Sequence, residues 1–570
     1  MTFSFSVSST DWLGITPLVL LVIMALIVML VDLILPHEGE RTKHSGPANF
    51  TVLPLVSVAG IVLSLVATII LFSVNRPATV FNHMMGADNG TLYADLLILT
   101  AGGLGVLLSP AFLQRLHLVH QGEYYALMLF AIVGMMLMAG ATNFLIVFVG
   151  LEMFSLSLYI LCSFVEHRRA SQESGMKYFL LSSFASAFLL YGIAMIYAAT
   201  GSTSFEAIQQ YLSVHVYNHA PALLLVGMGL LTVGFSFKVS AVPFQTWTPD
   251  VYEGAPAPVT AFMSVGTKVA ALLAFARVFG FVFSNVQSDW MPVIWAIAVL
   301  TMVAGNVMAL SQGNVKRMLA YSSIAHGGYL LTGIVVCAAA QQHVGVTAIL
   351  FYLTCYLFMN TGAFGIISLL ERGNNTGYQI SDLRGLWYRR PWIAAFLAFF
   401  LIALAGFPPL AGFAGKYYIF YAALVGGHPE LLIIGILASV LGIYYYLRVV
   451  ATMFMEGRDG SVERVATATT PAPALATATT TEPAVESIAT VPARSAAATA
   501  VAVRPAQSAT SSEALPSTVT ATVDDTRNAP GLVWMSWLAI GISALGTLVV
   551  GVILPFWLPA LQQAAFSLLK

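Results

Sequence analysis

Charge is what this chain has least of. Only 9% of its 570 residues are Asp, Glu, Lys or Arg, while 58% are hydrophobic; a soluble domain carries about 25% charged residues. That shortfall excludes a water-soluble globular enzyme and points to a polytopic helical membrane protein. Cysteine is also scarce. Cys162, Cys337 and Cys355 each lie in an apolar run and form no CxxC pair, so an iron–sulfur cluster, a structural zinc site and a disulfide framework are not indicated. The usual motifs of soluble catalysis are missing: no GxSxG, no Walker loop, no GxGxxG after a strand. His215 and His219 stand four apart but without a carboxylate cluster, and His117 and His120 are no better placed as metal ligands. A net charge of -1 gives no attraction for nucleic acid. A cleavable leader is not expected either, because the run Leu13 to Leu35 is too long and follows no basic segment.

What the chain has is apolar length. Runs able to span a bilayer fall near 13-35, 52-74, 91-109, 124-140, 142-163, 173-199, 221-242, 257-284, 290-310, 317-338, 345-370, 392-424, 431-455 and 531-557, fourteen in all. Their connections differ in charge. Loops after odd-numbered runs hold Arg41, Lys43, Arg115, Arg168, Arg169, Lys316, Arg317, Arg372, Arg384, Arg389 and Arg390; the opposite side holds Arg76 and Lys570. Cytoplasmic loops are the positive ones, so both termini are expected outside the cytoplasm. Residues 456-530, with stretches such as VATATTPAPALATATTTEPAVE and no aromatic residue, cannot bury enough surface to fold and read as a solvated cytoplasmic linker.

Six basic residues fall inside the runs: Lys177, Lys238, Lys268, Arg277, Lys416 and Arg448. Lys177, Arg277 and Arg448 lie near helix ends, where snorkelling to the headgroups explains them. Lys177, with Glu173 four residues before it, is also a candidate for an entry side. Lys238, Lys268 and Lys416 sit too deep or too close to a helix break for that. Such a charge costs roughly 2.5 to 3.5 kcal/mol to insert unless paired, hydrated or neutral. Facing them are Glu152, in VGLEMFSLSLY, and His326, in YSSIAHGGY, which exchanges a proton near neutral pH. The lysines also mark breaks. Lys238 opens KVSAVPFQTWTPDVYEGAPAP, where Pro243 must free a backbone carbonyl for a neighbour to satisfy; Pro408 and Pro409 precede Lys416 in GFPPLAGFAGKYYIF. The seventh and twelfth runs are therefore broken helices. They lie five runs apart, and repeats of five helices must be inverted across the membrane, the architecture in which transport sites sit at discontinuous helices.

The segments FKVSAVPFQTWTPDVYEGAPAPVTAFMSVGTKVAAL, NVKRMLAYSSIAHGGY and GFPPLAGFAGKYYIF resemble the antiporter-like membrane subunits of proton-pumping NADH:quinone oxidoreductase, respiratory complex I. Residues 90 to 455 carry the resemblance. Within that family the chain looks most like the N type, since the M type has a glutamate where Lys416 stands, and the L type continues into a long lateral helix. The resemblance implies an all-α polytopic membrane protein of about fourteen helices with two inverted repeats, helices 4-8 and 9-13. The division is 1-123 for helices 1-3, 124-284 and 285-455 for the repeats, 456-530 for the linker and 531-570 for helix 14. It implies a charged axis of Glu152, Lys238, Lys268 and Lys416, which His326 joins on its own chemistry. Catalysis would then be proton transport, with an ionised Glu152 holding a proton on Lys238 until the pair is weakened. No cofactor or metal would be bound by this chain; NADH or another donor, flavin, iron–sulfur clusters and quinone would belong to partner subunits. The partners implied are the M-type, K-type and other small membrane subunits, in a bacterial plasma membrane. A multisubunit cation/proton antiporter and an inert structural subunit are the alternatives.

Overall fold

The structure is a computed structural model, and it describes residues 8-35, 49-74, 76, 78-116, 121-215, 220-338, 342-371, 377-455, 532-552 and 554-568. The expected linker 456-530 lies outside them, as do His117, His120 and His219. The chain opens with α1 (Ser9–Ile34), α2 (Asn49–Ser73) and α3 (Asn89–Arg115), with a two-stranded antiparallel ribbon, β1 (Thr79–Val80) and β2 (Met85–Gly86), before α3. There follow α4 (Gln121–Ala139), α5 (Phe144–Cys162), α6 (Arg169–Thr200), α7 (Phe205–His215), α8 (Ala222–Lys238), α9 (Trp247–Gly254) and α10 (Ala257–Arg277). The second half comprises α11 (Gln287–Leu310), α12 (Val315–Val336), α13 (Gln342–Leu370), α14 (Leu386–Arg389), α15 (Pro391–Ala405), α16 (Ala411–Val425) and α17 (Pro429–Phe454). Beyond the linker come α18 (Val533–Val552) and α19 (Leu554–Leu568).

Twelve of these helices are long and apolar enough to cross a membrane, and α8 and α15 are shorter apolar helices. Each short one stops at a proline-bearing break and resumes, as α9 and α16 respectively. All fourteen apolar runs are thus helical, and the chain is a multi-pass integral membrane protein. Four helices escaped the reading of the sequence: α7, α9 and α14 are short and lie outside every run, and α19, which packs on α3 and α13, continues past the end of the last run where no further helix was expected.

Burial sorts the helices. Every residue in the apolar windows of α10 and α12 is covered by protein, whereas about a third of the windows of α1, α2 and α17 is. The two covered helices form the core, α10 against α3, α4 and α13, and α12 against α9, α11, α13 and α16. Small residues let the backbones approach: a methyl group added at Gly305 would lie 2.6 Å from Ala325 N of α12, the close packing expected where helices meet without water to drive them together.

The two ends of the bundle differ. Residues from the connections after α2, α4, α6 and α10, and the end of α19, surround one cavity of about 440 Å³, among them Asp88, Thr142, Ser204, Arg277 and Ser567. At the other end Arg115, Arg168, Lys316 and Glu371 converge. Arg277 and Arg448 do not snorkel. Arg277 is buried and pairs with Asp88 at 2.6 Å while donating to Ala141 O; Arg448 donates to Leu310 O at 3.0 Å and to Gln312 O. In both cases backbone carbonyls or a carboxylate take the guanidinium N–H groups within the bundle.

Candidate functional site

Lys238 is the last residue of α8, and its ammonium turns inward at 1% exposure. It donates to Ser155 Oγ of α5 and Ser182 Oγ of α6, each at 2.7 Å. The rings of Phe154 and Tyr178 lie 5.2 and 5.4 Å away, and a desolvated cation over aromatic faces gains about 2 kcal/mol. Glu152, one turn before Ser155 on α5, makes no contact ion pair with Lys238, although its charge reaches the ammonium, and its Oε1 is buried with no hydrogen-bond partner. The break beside Lys238 is closed by neighbours: Trp247 Nε1 donates to Phe237 O at 3.0 Å, and Val242 N donates to Thr301 Oγ1 of α11 at 3.0 Å. That is the compensation which an interrupted helix in lipid requires.

Lys268, at 0% exposure in the middle of α10, donates to both Ser323 Oγ, at 2.6 Å, and Ser323 O. Tyr356 also donates to Ser323 Oγ, at 2.8 Å. Three residues further along α12 comes His326, whose Nδ1 shares a hydrogen bond of 2.6 Å with the Tyr352 hydroxyl and whose Nε2 meets Tyr446 at 3.3 Å. Tyr446 is bonded in turn to Ser322. An imidazole engaged at both nitrogens can receive a proton on one and release it from the other. Three residues beyond, Tyr329 presents its ring to Lys416 at 5.8 Å and accepts from Asn306 Nδ2 at 3.0 Å. Ser323, His326 and Tyr329 recur at helical spacing, so one face of α12 links Lys268 to Lys416.

Lys416 sits in the first turns of α16 and uses all three of its donors. It bonds Leu404 O at 3.1 Å, Ala405 O at 2.9 Å and Ser439 Oγ at 2.9 Å. Leu404 and Ala405 end α15, and the last carbonyls of a helix have no partner within it. Gly406 makes this approach possible. It holds φ of +93°, and an added methyl would come within 3.1 Å of Lys416 Cδ.

The candidate entry pair forms: Lys177 Nζ lies 2.6 Å from Glu173 and 2.8 Å from Asp250. Asp250 continues to Arg317 at 2.7 Å, and Arg317 to Glu253 at 2.9 Å. These groups are about a third or more exposed, so the chain of pairs contributes little to stability. The geometry brings Lys268, His326 and Lys416 onto one helix face and leaves Lys238 and Glu152 as a separate group; among the described residues no hydrogen bond bridges the two. Residues that the sequence did not single out are the acceptors Ser155, Ser182, Ser323 and Ser439, the tyrosines around His326, and the buried Glu371. Single hydroxyls in apolar runs carry no periodic signal, but Glu371, an acid closing a run on the side otherwise rich in Lys and Arg, was legible.

Buried titratable groups between two interrupted helices place the chain among polytopic helical membrane proteins of the antiporter-like fold. More narrowly, the chain belongs to the family described as NADH:quinone oxidoreductase/Mrp antiporter, whose model matches residues 141-442. It is 42% identical to NADH-quinone oxidoreductase subunit N of Trichlorobacter lovleyi over 78% of this chain and 87% of that one. Among solved structures it resembles a chain of respiratory complex I from Thermus thermophilus, with a TM-score of 0.66, 26% identity and coverage of 96% and 99%. A chain of the Mrp complex from Dietzia sp. DQ12-45-1b shares the fold, with a TM-score of 0.71, 18% identity and coverage of 98% of each.

Proposed function

We propose that this chain is an N-type, proton-translocating membrane subunit of an NADH:quinone oxidoreductase, with electron transfer to quinone carried out by cofactors in other subunits. One observation carries the reading: a single face of α12 joins Lys268 to Lys416 through Ser323, His326 and Tyr329. In this reading the charge of Glu152 sets how firmly Lys238 holds its proton. Weakening that influence sends the proton through water to Lys268, then past His326 to Lys416. Glu173 and Lys177 mark the entry side. A one-unit change in proton affinity is worth about 1.4 kcal/mol, and moving one charge against 100 mV costs about 2.3 kcal/mol, so coupled changes of a few units suffice. The repeats 124-284 and 285-455 would be related by inversion, with α8–α9 and α15–α16 as their matching breaks. Neighbours would be the M-type, K-type and other small membrane subunits in a bacterial plasma membrane, with both termini outside the cytoplasm.

The test is Lys238→Ala in the assembled complex reconstituted into vesicles. Proton uptake per electron should fall steeply while the subunit composition stays normal; an assembled, fully coupled variant would refute the reading and favour an inert structural subunit. A second reading, a subunit of a multisubunit cation/proton antiporter, has the family description in its favour. Co-isolation with iron–sulfur subunits supports the oxidoreductase, and sodium-dependent transport without them supports the antiporter.

A further inference from the structure

Lys316, the second residue of α12, is a lysine buried to 0% exposure that the axis described above does not use. Its Nζ donates to Ala255 O, in the turn between α9 and α10, at 2.8 Å, and lies 3.5 Å from Glu371 Oε1. The same carboxylate oxygen is held more tightly by Arg168 Nη1 at 2.7 Å, while Glu371 Oε2 accepts from Ala257 N at 3.3 Å. Arg115 adds a third positive group, donating to the carbonyls of Ser368, Leu369 and Glu371. The ring of Tyr378 covers Lys316 Nζ at 5.2 Å. Glu253, which binds Arg317 and Asn314 nearer the surface, acts on Lys316 only at a distance.

Charge counting decides which group moves. Two buried cations share one carboxylate, and an uncompensated buried charge costs several kcal/mol. Arginine does not give up its proton, whereas a buried lysine does so readily. Lys316 is therefore the member of the triad that can alternate between ammonium and amine while Arg168 and Glu371 stay paired. It is also placed to receive and to deliver. Arg317, its neighbour in sequence, belongs to the part-buried network with Asp250 and Glu253. Seven residues inward, on the same face of α12, Ser323 accepts from Lys268, about 10 Å away at 1.5 Å per residue.

We propose that Lys316 is a proton-loading site: its amine takes a proton from water at the Arg115/Arg168 end of the bundle and passes it, through water, to the Ser323–Lys268 pair. An N–H bond forms at Lys316 Nζ as hydronium becomes water; the same bond breaks when the proton reaches the neutral amine of Lys268. The proposal rests on the proton-translocation reading, and it gives Lys268 a source of protons that bypasses Lys238.

The experiment compares Lys316→Arg, Lys316→Gln and Glu371→Gln in the assembled complex in vesicles, with Lys238→Ala alongside. A loading role predicts that Lys316→Arg, which keeps the charge and the bond to Ala255 but cannot release its proton, lowers protons pumped per electron at least twofold, as Lys316→Gln does. Rescue by arginine would mean that Lys316 only braces the fold, and would overturn the proposal. Should neither variant assemble, Glu371→Gln decides. With the neutral side chain no longer helping to hold a proton on Lys316, the alkaline limb of the pumping profile should move to lower pH, and an unchanged profile overturns the proposal. If Lys238→Ala pumps normally, the functional reading itself fails; if Lys238→Ala is impaired and the Lys316 and Glu371 variants are not, only this inference fails.

Discussion

The two helix breaks solve one problem in opposite ways. At the first, the carbonyl of Phe237 is taken by the Trp247 indole, and Lys238 turns away to two serine hydroxyls. At the second, the carbonyls of Leu404 and Ala405 are taken by Lys416 itself. A hydroxyl both donates and accepts, so a lysine held by hydroxyls can change its protonation without stranding its partners. Carbonyls only accept, and they form the negative end of the helix dipole, so they favour the charged form. The proposed pathway thus runs from a lysine with interchangeable partners to one with fixed ones, which suits release of a proton at the first break and its retention at the second.

Substitutions can break that comparison. The largest effect is expected from Gly406→Ala, which puts a side chain at a left-handed φ and against Lys416 Cδ. Backbone strain alone costs about 1–3 kcal/mol, and displacement of Lys416 should remove most pumping; a thermal melt and a pumping assay that both match the parent would show that the carbonyl seat is dispensable. Next comes Ser155→Ala with Ser182→Ala, which strips the Lys238 ammonium of both its hydroxyl acceptors. At about 1–3 kcal/mol for a buried donor left unmatched, pumping should drop about tenfold, while Ser182→Ala alone leaves one acceptor and falls less. Equal loss in the single and double variants would argue against shared duty. Trp247→Phe should be milder, costing about 1 kcal/mol of stability for the orphaned Phe237 carbonyl, to be read from detergent-induced unfolding of the complex. Smallest is Ser439→Ala, since Lys416 keeps two carbonyls; a threefold loss of pumping or less is expected, and a larger one would mean that the hydroxyl, not the backbone, holds the lysine.

Much of this was legible in the sequence because lipid imposes simple rules. Apolar length placed the twelve spanning helices and the two shorter apolar ones, and prolines beside buried lysines placed both breaks. The alternation of Arg and Lys sorted the loops into two sets. Partners were not legible. Arg168 and Glu371 meet across 203 residues of chain, and Arg115, Arg168 and Lys316 looked like loop charges until burial separated them from solvent. The serines that receive Lys238 and Lys268 are ordinary residues of apolar helices, and only three-dimensional proximity distinguishes Ser155 from Ser157. Nor did the sequence show that the Lys238 ammonium would donate to a hydroxyl one turn along α5 from Glu152.

The complete burial of α10 and α12 bears on how the molecule is made. The helix α12 has the lowest mean hydropathy of the twelve spanning helices, and it carries Lys316, Ser322, Ser323 and His326. A segment so poor in apolar surface partitions weakly into lipid by itself. Its cover comes from α11 and α13, so the place of α12 in the bundle depends on helices on both sides of it in the chain.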